Sequence, residues 1–369
     1  MTQDNPLLSP LQVGELKLRN RVVMSPLTRA RAEAGHLPGA LMAEYYAQRA
    51  DAGLIISECT MTAVDGSAFV AEPGIYTAEQ VAAWKRVTDA VHARGGLIAL
   101  QIWHPGRATH PYNNGGAVPV SSTDRAIADG SNASTAQGPQ PYPAPRRLDD
   151  GELAGIVELF RAGAENALDA GFDAIEVHGA HGYLLDQFLR DGANDRDGAY
   201  GGSIEKRARL LFEVVDAVIG VFGAGRTGLR ISPLVGFNDM RDSDPAALVQ
   251  HVAEKLQRRG AAFLDLRHDD FSRPQEQELA RIARRHFRGT LMLNGGFDAA
   301  SGEAAVRQGH ADAIIYGKPF ISNPDLVQRI RSGAALAPVD FATLYTPGAR
   351  GYTDYPALVA AEAATAATA

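Results

Sequence analysis

A chain of 369 residues, 45% hydrophobic and with a formal net charge of −7, can bury one large α/β core or two ordinary ones, and it is too acidic to neutralise a nucleic-acid backbone. Its single cysteine, Cys59, rules out an internal disulfide, an iron–sulfur cluster and a cysteine-based zinc site. No apolar run approaches the roughly 20 residues that cross a bilayer, and the opening MTQDNPLLSP lacks the basic and apolar regions of a signal peptide, so a cytoplasmic protein with no nucleic-acid or membrane partner is expected.

Along the chain, short apolar runs alternate with helical patterns. Strands are expected at 21–26, 54–58, 97–103, 174–178, 228–232, 263–267, 291–294 and 313–316. They show little polar alternation, as strands covered on both faces do. The helices between them have legible ends. Thr77 and Gln80 form a capping box ahead of 81–94. Asp244 and Pro245 supply an N-cap and a first-turn proline, with Leu248, Val249, Val252, Ala253 and Leu256 on one face and Gly260 at the stop. Asn323-Pro324 opens a last helix that ends near Gly333 in the same way.

Eight strands, each followed by a helix, predict an α/β fold of one kind, a single (β/α)8 TIM barrel, over a doubly wound open sheet. No linker interrupts the alternation, so residues 1–358 read as one domain. Residues 105–147 form a long Gly/Pro/Ser/Asn-rich connection after the third strand. A loop of that length is commonly functional or disordered, and its place on the C-terminal face predicts a lid or substrate-shaping flap. Residues 359–369, ending AEAATAATA, are expected to fray.

The strand at 174–178 runs into His178-Gly-Ala-His181-Gly-Tyr183. In a parallel barrel the C-terminal strand ends carry the active site. Two imidazoles beside a phenol suit a substrate whose oxygen must be held while a proton is delivered nearby. A metal pair or a structural histidine cluster is the competing reading. A metal would want a third ligand, and the nearest carboxylate, Asp186, lies on the following helix without motif spacing; no metal is expected. His104 reads as structural. After the seventh strand comes Asn294-Gly295-Gly296-Phe297, and after the eighth Gly317-Lys318-Pro319-Phe320. Barrel loops 7 and 8 commonly bind phosphate, since glycines let backbone N–H groups reach the anion and a short helix N-terminus adds a favourable dipole. Lys318 adds a point charge there; in a desolvated pocket it would instead be the Schiff-base lysine of a barrel lyase or aldolase.

Several segments in order, 20–29 (NRVVMSPLTR), 53–59 (GLIISEC), 101–107 (QIWHPGR), 178–188 (HGAHGYLLDQF), 200–205 (YGGSIE), 228–233 (GLRISP), 317–326 (GKPFISNPDL) and 351–356 (GYTDYP), resemble the Old Yellow Enzyme family of FMN-dependent ene-reductases. The resemblance runs from about residue 5 to 358, and the bacterial branch with the N-ethylmaleimide, glycerol trinitrate and pentaerythritol tetranitrate reductases is the most similar. It implies bound FMN and NADPH or NADH as co-substrate. Pro26 and Cys59 would lie beside the isoalloxazine through their backbone, Thr28 would place its hydroxyl on C4=O, Gln101 would meet the pyrimidine edge and Arg230 the N1/C2=O side. Gly295, Gly296, Gly317 and Lys318 become the FMN phosphate site. Thr28 argues against the thermophilic-like branch, which carries cysteine there.

The same resemblance implies hydride transfer from the coenzyme to flavin N5, then from N5 to the β-carbon of an electron-poor alkene such as an enone, maleimide or nitroalkene. His178 and His181 would hold the carbonyl or nitro oxygen, Tyr183 would protonate the α-carbon, and Trp103 and Tyr352 would shape the substrate pocket; a packed C-terminal anchor is the competing reading of Tyr352. Denitration of nitrate esters or reduction of nitroaromatics is the alternative main role. Two departures stand out. Lysine at 318 replaces the usual arginine, keeping the charge but losing the bidentate fork. The segment 265–271 (DLRHDDF) does not match the family wording and is expected to alter the pocket or a loop contact. Composition leaves the oligomeric state open.

Overall fold

The computed structural model describes residues 5–358; the tail expected to fray, 359–369, lies outside the described residues. Eight parallel strands close into a barrel: β1 (Val22–Met24), β2 (Leu54–Met61), β3 (Ile98–Trp103), β4 (Ala174–Gly179), β5 (Thr227–Ile231), β6 (Phe263–Arg267), β7 (Thr290–Asn294) and β8 (Ala313–Tyr316). β8 pairs with β1, which completes the ring. The (β/α)8 expectation therefore holds, with β1 shorter and β2 longer than read from the sequence.

The strands look uniformly apolar because both of their faces are covered, yet successive residues go to different places. Outward alternates such as Ile175, Val177, Leu229, Ile231, Leu264 and Leu266 join the layer packed under the helices. Inward alternates near the strand starts, including Val23, Leu54, Ile56, Ala99, Phe263 and Met292, fill the lower barrel. The antiparallel hairpin Leu11–Val13/Leu16–Leu18 adds Val13, Leu16 and Leu18 to that inner cluster and plugs the N-terminal end. The mouth at the opposite end is left for polar residues.

Helix ends follow local chemistry. Thr77 and Gln80 make the reciprocal capping box of helix Ala78–His92. Asp244 accepts from Ala247 N at 3.0 Å and Pro245 starts helix Pro245–Arg259, which stops at Gly260 with φ +65°. The last helix differs from expectation. Asn323 does not cap it; its amide ties Pro319 and Ala337 together, and the helix proper, Leu326–Ser332, starts after Asp325.

The long connection after β3 is a built element. Asn132–Thr135 and Gly138–Pro141 form an antiparallel hairpin, and Val120–Ser121 pairs with Arg146–Arg147. Ser122 Oγ donates to Gln187 O at 2.6 Å and Ser121 Oγ to Gln187 Oε1 at 2.9 Å, fastening the base of the flap to the segment after β4. Among the described residues, no helix is long and apolar enough to cross a membrane.

Close packing inside the barrel gives a direct test. A Cβ at Gly228 would lie 2.2 Å from the ring of Phe263 in the lower tier. Gly228→Ala is expected to cost about 1–3 kcal/mol through overpacking, read as a lower midpoint in denaturant unfolding; an unchanged midpoint would show that the barrel floor can shift.

Candidate active site

The mouth of the barrel carries a tier of inward polar residues: Gln101, Glu176, His178, Arg230, Asp265 and Asn294. Strand register sets Gln101 opposite Glu176, His178 opposite Arg230, and Arg230 opposite Asp265. All six are buried. A buried guanidinium needs an anion, and Arg230 Nε lies 3.2 Å from Asp265 Oδ2, while Nη2 donates to Asn294 Oδ1 at 3.0 Å. Gln101 Nε2 donates to Glu176 Oε1 at 2.8 Å. Burial raises both carboxyl groups above the ordinary range and Arg230 pulls them back; for Glu176 the neighbouring Asp265 adds to the rise. Glu176 and Asp265 were missed in the sequence. Their signal was their place as inward alternates of strands whose outward residues are apolar.

His178, His181 and Tyr183 converge above this tier. The ring centroids of His178 and His181 are 5.5 Å apart, and those of His178 and Tyr183 5.3 Å. Burial first, and then the positive charge of Arg230, push both imidazoles well below the usual histidine range, so both are neutral. Gln101 Nε2, which can only donate, lies 3.3 Å from His178 Nδ1. That contact makes Nδ1 an acceptor and leaves the ring proton on Nε2. His181 sits in the left-handed region at φ +57°, a costly conformation for a residue with a Cβ. It is held by its own N–H donating to Ser232 Oγ at 2.8 Å and by Asn238 Nδ2 donating to its carbonyl at 2.9 Å. Tyr183 meets Trp103 edge-on at 4.5 Å and 85°. Burial raises its phenol well above the ordinary value, so it stays protonated.

The loop after β1 supplies the next wall. A register shift in β2 between Ile56 and Cys59, a bulge against β3, sets Cys59 opposite Gln101. Thr28 Oγ1 then lies 3.2 Å from Cys59 Sγ. Burial pushes the Cys59 thiol up, so it is no nucleophile. The neighbouring Glu58, raised to about 7 by burial, accepts from Arg29 N at 3.3 Å and from Tyr46 Oη at 3.2 Å, pinning the loop to β2.

A cavity of about 540 Å³ opens here, inside the ~300–1,000 Å³ range of small-molecule sites. Pro26, His181, Arg230, Gly295, Gly296, Gly317 and Lys318, all singled out from the sequence, line it. Gly295 requires glycine: at φ +146° its missing Cβ would lie 2.4 Å from the His268 carbonyl oxygen. This glycine cradle, with cations along its wall and hydrogen-bonding groups at the barrel mouth, fits a polar ring carrying a phosphate-ended tail, as FMN does.

Two residues carry two readings each. Lys318 is exposed, its ammonium 5.6 Å from the centroid of Phe341, so it lacks the desolvated setting of a Schiff-base lysine. Tyr352 does not line the cavity. It is fully buried, stacked on Tyr45 at 4.1 Å, with the Arg29 and Arg31 guanidinium carbons 5.3 and 4.8 Å from its ring, and it acts as an anchor for the C-terminal segment. Arg267 lines the cavity from the end of β6, within the 265–271 segment expected to alter the pocket or a loop contact. His104 is buried, accepts from Gly106 N at 3.0 Å and is lowered to about 4 by burial. Among the described residues no three His, Cys, Asp or Glu side chains converge as a metal site.

The profile of the NADH:flavin oxidoreductase / NADH oxidase family matches residues 6–337. The chain is 46% identical to 12-oxophytodienoate reductase 7 of Oryza sativa subsp. japonica, over 96% of this chain and 95% of that protein. It is 45% identical to a probable flavin mononucleotide-dependent alkene reductase of Leishmania infantum, over 95% and 97%. Among solved structures, morphinone reductase in complex with tetrahydroNAD superposes with a TM-score of 0.91 at 44% identity, covering 95% of this chain and 97% of that one. The old yellow enzyme homologue from Zymomonas mobilis does so with a TM-score of 0.91 at 40% identity, covering 95% and 99%.

The buried carboxyl of Glu176 makes stability depend on pH. Its folded value lies above its unfolded one, so its contribution is present below about 4.5 and is lost as pH rises through about 8. Glu176→Gln keeps an acceptor for Gln101 and removes the titration. The thermal midpoint of the variant is expected to gain on the parent across that window; a constant difference would exclude Glu176 as the titrating group.

Proposed function

From the premise that this chain belongs to the NADH:flavin oxidoreductase / NADH oxidase family, among the Old Yellow Enzyme homologues, we propose how its own residues carry the FMN-dependent, NAD(P)H-driven reduction of activated C=C bonds. The observation that carries the reading is the cluster of two neutral imidazoles and a protonated phenol, whose member His181 lines, together with Arg230, a cavity with a glycine cradle in its wall. When bound, FMN supplies hydride transfer from NADPH or NADH to the substrate β-carbon. Pro26, Thr28 and Cys59 form the wall against the ring, Gln101 and Arg230 take its pyrimidine side, and Gly295, Gly296, Gly317 and Lys318 hold the phosphate end.

His178 and His181 hold the carbonyl or nitro oxygen of an electron-poor alkene. Being neutral, each imidazole has one N–H to give, and donors aimed where negative charge develops stabilise the enolate-like oxygen, as an oxyanion hole does. The left-handed backbone at His181 aims the second donor at this cost in strain. Tyr183 gives its proton to the α-carbon, and Trp103, edge-on to its ring, fixes the phenol's position. The alkene reductase among the relatives favours this reaction over denitration of nitrate esters or reduction of nitroaromatics. A cytoplasmic location, with a small electron-poor alkene as the partner besides the coenzyme, completes the reading.

Tyr183→Phe is expected to slow reoxidation of the reduced flavin by an enone by about 10²–10⁴-fold, the usual contribution of a positioned acid, while reduction by NADPH continues. Stopped-flow traces with both half-reactions slowed alike would remove Tyr183 from the proton-transfer step. Phenols mimic the enolate, so His178→Ala and His181→Ala should each weaken phenol binding by roughly tenfold, the worth of one hydrogen bond to a charged group. Unchanged phenol affinity in both variants would place the substrate oxygen elsewhere.

A further inference from the structure

Resting on the FMN reading above, we propose that Arg267 is a principal cation for the cofactor's phosphate monoester, in the place that the sequence alone gave to Lys318. Arg267 closes β6 directly opposite Asn294, the residue before Gly295-Gly296. Its side chain lines the same cavity as those glycines, Gly317 and Lys318.

The two cations are differently placed. Lys318 is exposed and leans on the Phe341 ring, so water and the ring already satisfy its ammonium. Arg267 Nη1 is buried and has no hydrogen-bond partner among the described residues. Its Nη2 reaches only Asp269 Oδ1, at 3.4 Å, the long edge of the hydrogen-bond range. The other charges near it do not supply the missing acceptor: Arg230 is a cation, Asp265 faces Arg230 Nε at 3.2 Å, and Glu276 lies against His268 Nδ1 at 2.5 Å. Burial and Arg230 both work against the charge of Arg267. A guanidinium kept charged under those conditions, with an N–H facing a ligand cavity, calls for an anion from the ligand.

The planar fork of arginine matches phosphate oxygens in a way a point charge does not. The arginine fork missing at position 318 is thus supplied from the end of β6, two strands away in the barrel, within the 265–271 segment that departs from the family wording. The phosphates of the nicotinamide coenzyme share this chemistry, and the test separates the two sources.

Full-length protein stripped of flavin is titrated with FMN and with riboflavin, which lacks the phosphate, following the quenching of flavin fluorescence. Arg267→Gln is expected to weaken FMN binding by about tenfold or more, as loss of a charged hydrogen-bond donor does, and to leave riboflavin affinity unchanged. Arg267→Lys should recover part of the loss, and Lys318→Gln should cost less than Arg267→Gln. Unchanged riboflavin binding also reports that the variant is folded. Equal loss for both flavins would place Arg267 on the ring or ribityl chain and overturn the proposal. Unchanged FMN affinity with a raised KM for NADPH would assign it to the coenzyme and overturn it equally. If the parent protein takes up neither flavin, the FMN reading itself fails, a different result from any of these.

Discussion

The site depends on one buried charge. Arg230 sits inside a barrel whose lower half is hydrocarbon, where an uncompensated guanidinium would not survive folding. Its neighbours answer to that constraint. Asp265 faces it across the strand pair, Asn294 accepts from it, and Glu176 lies in the same tier, held neutral by burial and by the nearby carboxylate. Burial, and after it the same positive charge, keeps the two imidazoles neutral. Neutral rings are what a pair of hydrogen-bond donors needs to be if it is to stabilise charge only as charge develops. The electrostatics of the buried polar tier and the state of the imidazoles above it are one arrangement.

Much of this was legible because barrel folds tie function to strand ends. The run 174–178 followed by His178 and His181, and the glycines at 295, 296 and 317, announce themselves locally, so both groups were found where the structure puts them. Sequence reading failed where the decisive neighbour is distant. Glu176 looks like an interruption in an apolar strand until its inward direction is known. Arg267 reads as a strand-end charge until Asn294 is seen beside it. Tyr352 carries a familiar pattern, yet its environment is decided by Tyr45, Arg29 and Arg31, some 300 residues earlier. Asn323 has the composition of a helix cap and is used instead as a brace for Ala337. The flap has the composition of a loop, but backbone pairing within it builds a hairpin that composition does not reveal.

The site is also a product of strain placed deliberately. His181 is left-handed, Gly295 takes a backbone conformation with no room for a Cβ beside the His268 carbonyl, and β2 is bulged just before Cys59. Each is held by specific partners: Ser232 and Asn238 at His181, the β6 end at Gly295, and Tyr46 and Arg29 around Glu58. Such conformations persist only where the surroundings over-determine them. The surrounding helices and lower barrel therefore do more than enclose the mouth; they hold it in a shape it would not choose alone.

The loop bearing Pro26 and Thr28 has a further dependence. Arg29 and Arg31, three and five residues past Pro26, donate to the carbonyls of Thr343, Leu344, Arg350 and Gly351. Residues more than 300 positions apart must therefore meet before this wall of the pocket takes its shape. A change that loosens residues 343–351 would reach Pro26 and Thr28 without touching either, so the cavity is sensitive to a segment that does not line it.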